Sequence, residues 1–158
     1  MSGTFAIVNP PELGAPRGFA HGLIAPAGGR LLFVAGQIAG DAVLKDPRHN
    51  KGPHHNKGPH HNKGPHLHEG DAGFAEQFDD ALARVLTVVR AAGGRPEQIA
   101  RMTVYVTDMD AYRESRPALS DLWLRHMGSH YPAMALVAVT ALVDEQAMVE
   151  IEATAVLA

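Results

Sequence analysis

"MVEIEATAV" (148–156) decides how this chain is built. Val149, Ile151, Ala153 and Ala155 alternate with Glu150, Glu152 and Thr154. A period of two is the signature of a β-strand, whose successive side chains point to opposite faces of the sheet. One face of this strand is apolar enough to bury, and the other carries two carboxylates. The run before it, "AMALVAVTAL" (133–142), is apolar on both sides. Its second face therefore needs a cover besides helices, and a self-association surface meets that need.

Moving back along the chain, "RMTVYVTDM" (101–109) sets Met102, Val104 and Val106 against Thr103, Tyr105 and Thr107, again with strand periodicity. The segment from Phe74 to Gly93 carries Phe74, Phe78, Leu82, Val85, Val89 and Ala92 at three-to-four spacing. It reads as an amphipathic helix with Asp71 as its N-cap and Gly93 as its stop. A second helix has Leu119, Leu122 and Trp123, with His126 or Met127, on one side. Pro117 suits a first turn, where its missing N–H does no harm, so this helix is expected to start near Pro117. Nearer the N-terminus, "LLFVAGQIAG" (31–40) reads as a buried strand with "FAHGLIAP" (19–26) as its hairpin partner, and "AVLKD" (42–46) as a further short strand. The order ββ(β)αβαββ predicts an α+β fold, two helices on one face of a mixed sheet.

Composition bounds the function. The chain has 158 residues, 46% of them hydrophobic, and a formal net charge of −3. That length suits one domain, residues 1–158, with a core of its own. The absence of cysteine excludes disulfides and thiolate metal sites. No basic surplus draws the chain to nucleic acid or an anionic membrane, and no apolar run approaches the ~20 residues that span a bilayer. The start "MSGTFAIVNPPELG" lacks the pattern of a secretory signal, so a cytoplasmic location is expected.

One segment stands apart. Between about residues 46 and 69 the unit His-Asn-Lys-Gly-Pro-His occurs three times, beginning at His49, His55 and His61. Leu67 is its single apolar side chain, so it builds no core. Paired imidazoles are ligands for zinc, nickel or copper, but no carboxylate pattern fixes a coordination geometry. The segment reads as an insert that either is passive or binds metal weakly, and no dedicated metal site is expected.

Four strings, taken in order, resemble the Rid family, also called YjgF or L-PSP, the reactive intermediate deaminases. They are "FVAGQIAGD", "AAGGRPEQIARMTVYVTDMDAY", "YPAMALVAVTAL" and "VEIEATAV". The resemblance spans nearly everything but the histidine-rich insert. It implies a chorismate-mutase-like fold, a homotrimer with a central barrel and helices outside, and sites in the clefts between subunits. It also implies hydrolysis of 2-imino acids to 2-keto acids and ammonia, with no cofactor and a small-molecule substrate.

Carried over residue by residue, the resemblance makes Glu150 the acid beside the attacking water and Gly36 part of the pocket. Phe19 stands where the family often has a tyrosine, and Leu136 lines the pocket. Met134, in Tyr131-Pro132-Ala133-Met134, stands where the family's substrate-binding arginine follows Pro-Ala. A thioether cannot pair with a carboxylate, so the substrate preference is expected to differ. Arg116, matching a cleft asparagine of active members, is the candidate replacement if it sits at a helix start with free N–H groups. The bland alternatives are a solvated Arg116 and a Glu150 that pairs with an arginine across an interface. His21, His126 and His130 read as structural. A non-catalytic binder on the same scaffold, or a metal buffer, are the competing functions. The endoribonuclease name sometimes given to the family fits poorly with an acidic chain lacking a basic stripe.

Overall fold

The computed structural model describes residues 5–45 and 73–157. Its elements are β1 (Ala6–Val8), β2 (Gly22–Ile24), β3 (Arg30–Gln37), α1 (Asp41–Leu44), α2 (Phe74–Ala91), β4 (Ile99–Val106), α3 (Met109–Met127), β5 (Ala133–Ala138) and β6 (Val149–Leu157). The histidine-rich insert and Asp71 lie outside the described residues.

The main sheet has the order β3-β6-β4-β5. β6 is antiparallel to both its neighbours, and β4 and β5 are parallel, so the sheet is mixed. The fold is α+β. Phe78, Leu82, Val85, Leu86 and Val89 of α2 pack with Met102, Val104, Ile151 and Ala155 in one core. The alternation of β6 holds: Val149, Ile151, Ala153 and Ala155 are buried, while Glu150, Glu152 and Thr154 are half-exposed on the other face. On that same face Leu31, Phe33 and Val137 are strongly exposed, Phe33 by 74%. That face has no apolar cover among the described residues.

α2 ends as its sequence predicts. Gly93, at φ 80°, donates to the Arg90 carbonyl and Gly94 to that of Val89, the paired bonds that close a helix at a left-handed glycine. Its N-cap is Gly73, not Asp71.

Several expectations are corrected. "FAHGLIAP" is not the hairpin partner of β3: its residues Gly22–Ile24 pair with β1 in a separate two-stranded sheet. "AVLKD" does not form a strand, since Asp41–Leu44 make one helical turn. β5 stops at Ala138, four residues before the apolar run ends.

The largest correction concerns α3, which starts at Met109 and runs through Pro117. The Asp108 carboxylate accepts from the Asp110 and Ala111 N–H groups, each at 2.9 Å, and so caps the helix. Such a cap stabilises by ~1 kcal/mol. Ala111, Leu119, Trp123 and Met127 are buried along one side of the helix. Each large apolar side chain so buried contributes about 1.5–3 kcal/mol. Together these exceed the ~3 kcal/mol that an interior proline costs by leaving the Arg113 carbonyl without its donor. Packing on both sides of Pro117 overrides the local signal.

Candidate functional site

Glu150 lies on β6 opposite Tyr105 of β4, on the sheet face away from the helices. Its place along the chain is fixed from below. The buried amide of Gln77 donates to the Gln146 carbonyl and accepts from the Met148 N–H at 2.8 Å, while Thr107 N–H bonds the Met148 carbonyl. α2 and β4 together thus hold the backbone two residues before Glu150.

Beside it β3 bulges. Val34 pairs with Ala153 and Gln37 with Ile151, so Ala35 and Gly36 stand against one residue of β6. A bulge turns the strand and re-aims what faces it. The Glu150 carboxylate lies over Gly36, in the space a β-carbon there would take. Only glycine admits this approach. The half-buried carboxylate makes no hydrogen bond or ion pair among the described residues. Glu152, two residues on, differs: it accepts from the Tyr105 hydroxyl at 3.0 Å. That bond holds the proton on the phenol and raises the Tyr105 pKa, with smaller opposing contributions from Thr103 and Arg101.

The other sequence-predicted residues fall elsewhere. Met134 and Leu136 are in register with Met102 and Val104 and pack partly buried against the core, on the helix side of the sheet. Phe19 is 36% exposed and meets His21 edge-on, and the adjoining Ala20 N–H bonds the Pro132 carbonyl. Phe19 is therefore tied to the start of β5, as is Tyr131, stacked on Trp123 with centroids 5.4 Å apart. Two candidate half-sites result: Gly36 and Glu150 on β3 and β6, and Met134 and Leu136 on β5, with Phe19 tied to the start of that strand. With β4 between them, β6 and β5 are about 10 Å apart at the usual strand spacing.

Arg116 is not at a helix start. It lies exposed within α3, without an ion-pair partner among the described residues. The N–H groups that would have helped it bind an anion belong to the turn after Asp108, whose own carboxylate occupies them. The geometry that singled out Arg116 is absent.

The three isolated histidines have structural partners: Gly14 carbonyl for His21, Asp79 for His126, Ile99 carbonyl for His130. No cluster of three or more metal-ligating side chains occurs among the described residues. No helix among them is long and apolar enough to cross a membrane. Sequence reasoning missed the Asp108 cap and the Tyr105–Glu152 bond. The alternation of Thr103 and Tyr105 opposite Glu150 and Glu152 carried the signal for the second.

The endoribonuclease L-PSP family model matches residues 15–157. Among solved structures the chain is similar to YyfB of Yersinia pestis, a protein of unknown function of the Rid family, at 24% identity and TM-score 0.66, over 98% of this chain and 99% of that one. It is also similar to E. coli TdcF with bound serine, at 24% identity and TM-score 0.55 over 92% of each chain. RidA of the Antarctic bacterium Psychrobacter sp. matches at 21% identity and TM-score 0.55, over 91% and 92%. No curated protein matches the sequence. These structural likenesses carry the fold. The family model, spanning both half-sites, carries membership: the chain belongs to the endoribonuclease L-PSP family, the Rid or YjgF proteins.

Proposed function

We propose that this protein is a Rid-type hydrolase that converts reactive imines or enamines to carbonyl compounds and ammonia, with Glu150 as general base. The observation that carries this reading is the half-buried Glu150 carboxylate, unpaired and held over Gly36. An iminium carbon is already electrophilic, so the protein's task is to place a water and accept its proton as the tetrahedral adduct forms. The carboxyl group returns that proton to the nitrogen, and as the C–N bond breaks the carboxylate takes the remaining hydroxyl proton, so that ammonia leaves, the carbonyl forms and the proton passes to solvent. The reaction as written calls on no metal or organic cofactor.

The half-sites support an assembly reading as well. Glu150 and the pair Met134 and Leu136 lie on different strands and different faces of one sheet, with Phe19 on a loop tied to the start of β5. A cleft in which β6 of one copy meets β5 of another would unite them. The exposed Leu31, Phe33 and Val137 give such copies an apolar surface to bury. A homotrimer with sheets inside and helices outside is the form we infer.

Substrate preference follows from what stands at the clamp position. Met134 offers no donor, and Arg116 lacks the helix-end geometry that would make it a replacement. We infer a preference for imines without a free carboxylate, resting on Phe19, Met134 and Leu136. Ammonia release across imines generated in situ from amino acids, amino acid esters and simple amines tests this. Turnover is expected, highest with the uncharged members. Turnover confined to 2-imino acids would refute the preference, and none with any imine would favour the non-catalytic binder.

A further inference from the structure

The close approach of Glu150 to Gly36 is governed by a residue that does not touch the carboxylate. Ala35 and Gly36 stand in the bulge of β3, out of regular register with β6, and β3 is an edge of the main sheet. A bulge leaves its extra residue without a ladder partner, and glycine has more backbone freedom to lose than any other residue. The ladder alone therefore does not set the backbone angles of Gly36.

Gln37 supplies what the ladder lacks. Its side-chain amide nitrogen donates to the Ala35 carbonyl and to the Gly36 carbonyl, each at 3.1 Å. A carboxamide carries two N–H donors, one for each oxygen. The Ala35 carbonyl belongs to the peptide unit before Gly36, and the Gly36 carbonyl to the unit after it. Two planar units that share one α-carbon have two soft dihedrals between them, here the φ and ψ of Gly36. Tying both oxygens to one nitrogen restricts both angles. The backbone of Gln37 is anchored in turn, paired with Ile151 next to Glu150. Its amide makes no hydrogen bond to Glu150. Its effect on the carboxylate therefore passes through Gly36, whose missing β-carbon leaves the space that Glu150 fills.

We propose that Gln37 is a positioning residue for Glu150: its amide locks the bulge at Gly36, and the locked bulge keeps the carboxylate where it takes a proton from water. The kinetic consequence rests on Glu150 being the general base of the proposed hydrolase. The placement of the carboxylate does not.

The test uses Gln37→Met, which keeps the length of the side chain and carries no donor. Crystal structures are expected to show the Glu150 carboxylate over Gly36 in wild type and displaced by about 1 Å or more in the variant, a shift large enough to matter for catalysis. The same position in both proteins would overturn the proposal, whether or not an imine is turned over. On the best imine, kcat is expected to fall about tenfold with KM nearly unchanged, the size that one or two neutral hydrogen bonds carry. In a Gly36→Ala background the carboxylate is already displaced, so the same change should alter kcat by less than about twofold. A full tenfold loss in that background would show that Gln37 acts elsewhere and would overturn the proposal, as would wild-type kinetics in the single variant. No turnover by wild type with any imine would refute the general base instead, and the crystal structures would then decide the role of Gln37 by themselves. Gln37→Leu, equally free of donors, should reproduce both results, so that neither depends on one variant folding.

Discussion

At Gly36 the missing side chain is the feature the site depends on. A β-carbon there would meet the end of the flexible Glu150 side chain and no backbone. Gly36→Ala should therefore fold with little change in thermal midpoint while the carboxylate swings aside. Displacing a catalytic group by about 1 Å can lower turnover roughly a hundredfold. A variant with wild-type kinetics would show that the close approach is incidental. Tyr105 offers a second residue-scale check. Its hydroxyl donates to Glu152, which favours the neutral phenol and raises its pKa. The interaction is present below the ordinary phenol value of about 10 and is lost as pH rises through the higher folded value. Tyrosinate absorbance, with Tyr105→Phe subtracted, should place this midpoint above the ordinary value, and Glu152→Gln should bring it back down. A midpoint at or below about 10 in wild type would contradict the bond.

Among the elements, α3 shows where local signals stop being enough. Pro117 at a first helical turn is a sound local reading, and it fails because the deciding terms are remote. Asp108 caps from nine residues upstream, and Ala111, Leu119, Trp123 and Met127 pack on both sides of the proline. The consequence is measurable. Pro117→Ala restores an N–H for the Arg113 carbonyl and should raise stability by about 1 kcal/mol or more. Were Pro117 the first residue of the helix, the same change would be neutral or slightly destabilising. α2 and β6 were legible because their patterns and their burial coincide: Phe78, Leu82 and Val85 on one, Val149, Ile151 and Ala153 on the other. The partner of Gly22–Ile24 was not legible. That pairing with Ala6–Val8 closes a long loop through short segments whose burial pattern carries no period. Glu150 was reached by matching residues to a family. That it lies over Gly36 depends on a bulge that no periodicity announces.

For the whole molecule, the sheet order makes the assembly claim concrete. Since the Glu150 half-site and the β5 half-site are separated by β4 and by the sheet itself, one copy is not expected to suffice. Light scattering should return three times the subunit mass, and Phe33→Glu, placing charge on a ring that is 74% exposed, should dissociate the trimer and abolish turnover together. A stable, active monomer would remove the interfacial cleft from the account. The central claim, however, is that this chain hydrolyses imines with Glu150 as the base. Its most direct measurement is steady-state ammonia release by wild type and Glu150→Gln on the best imine from the screen. We expect kcat to fall about a hundredfold with KM nearly unchanged, because glutamine keeps the shape over Gly36 and removes the proton acceptor. Equal kcat in the two proteins would contradict the assignment.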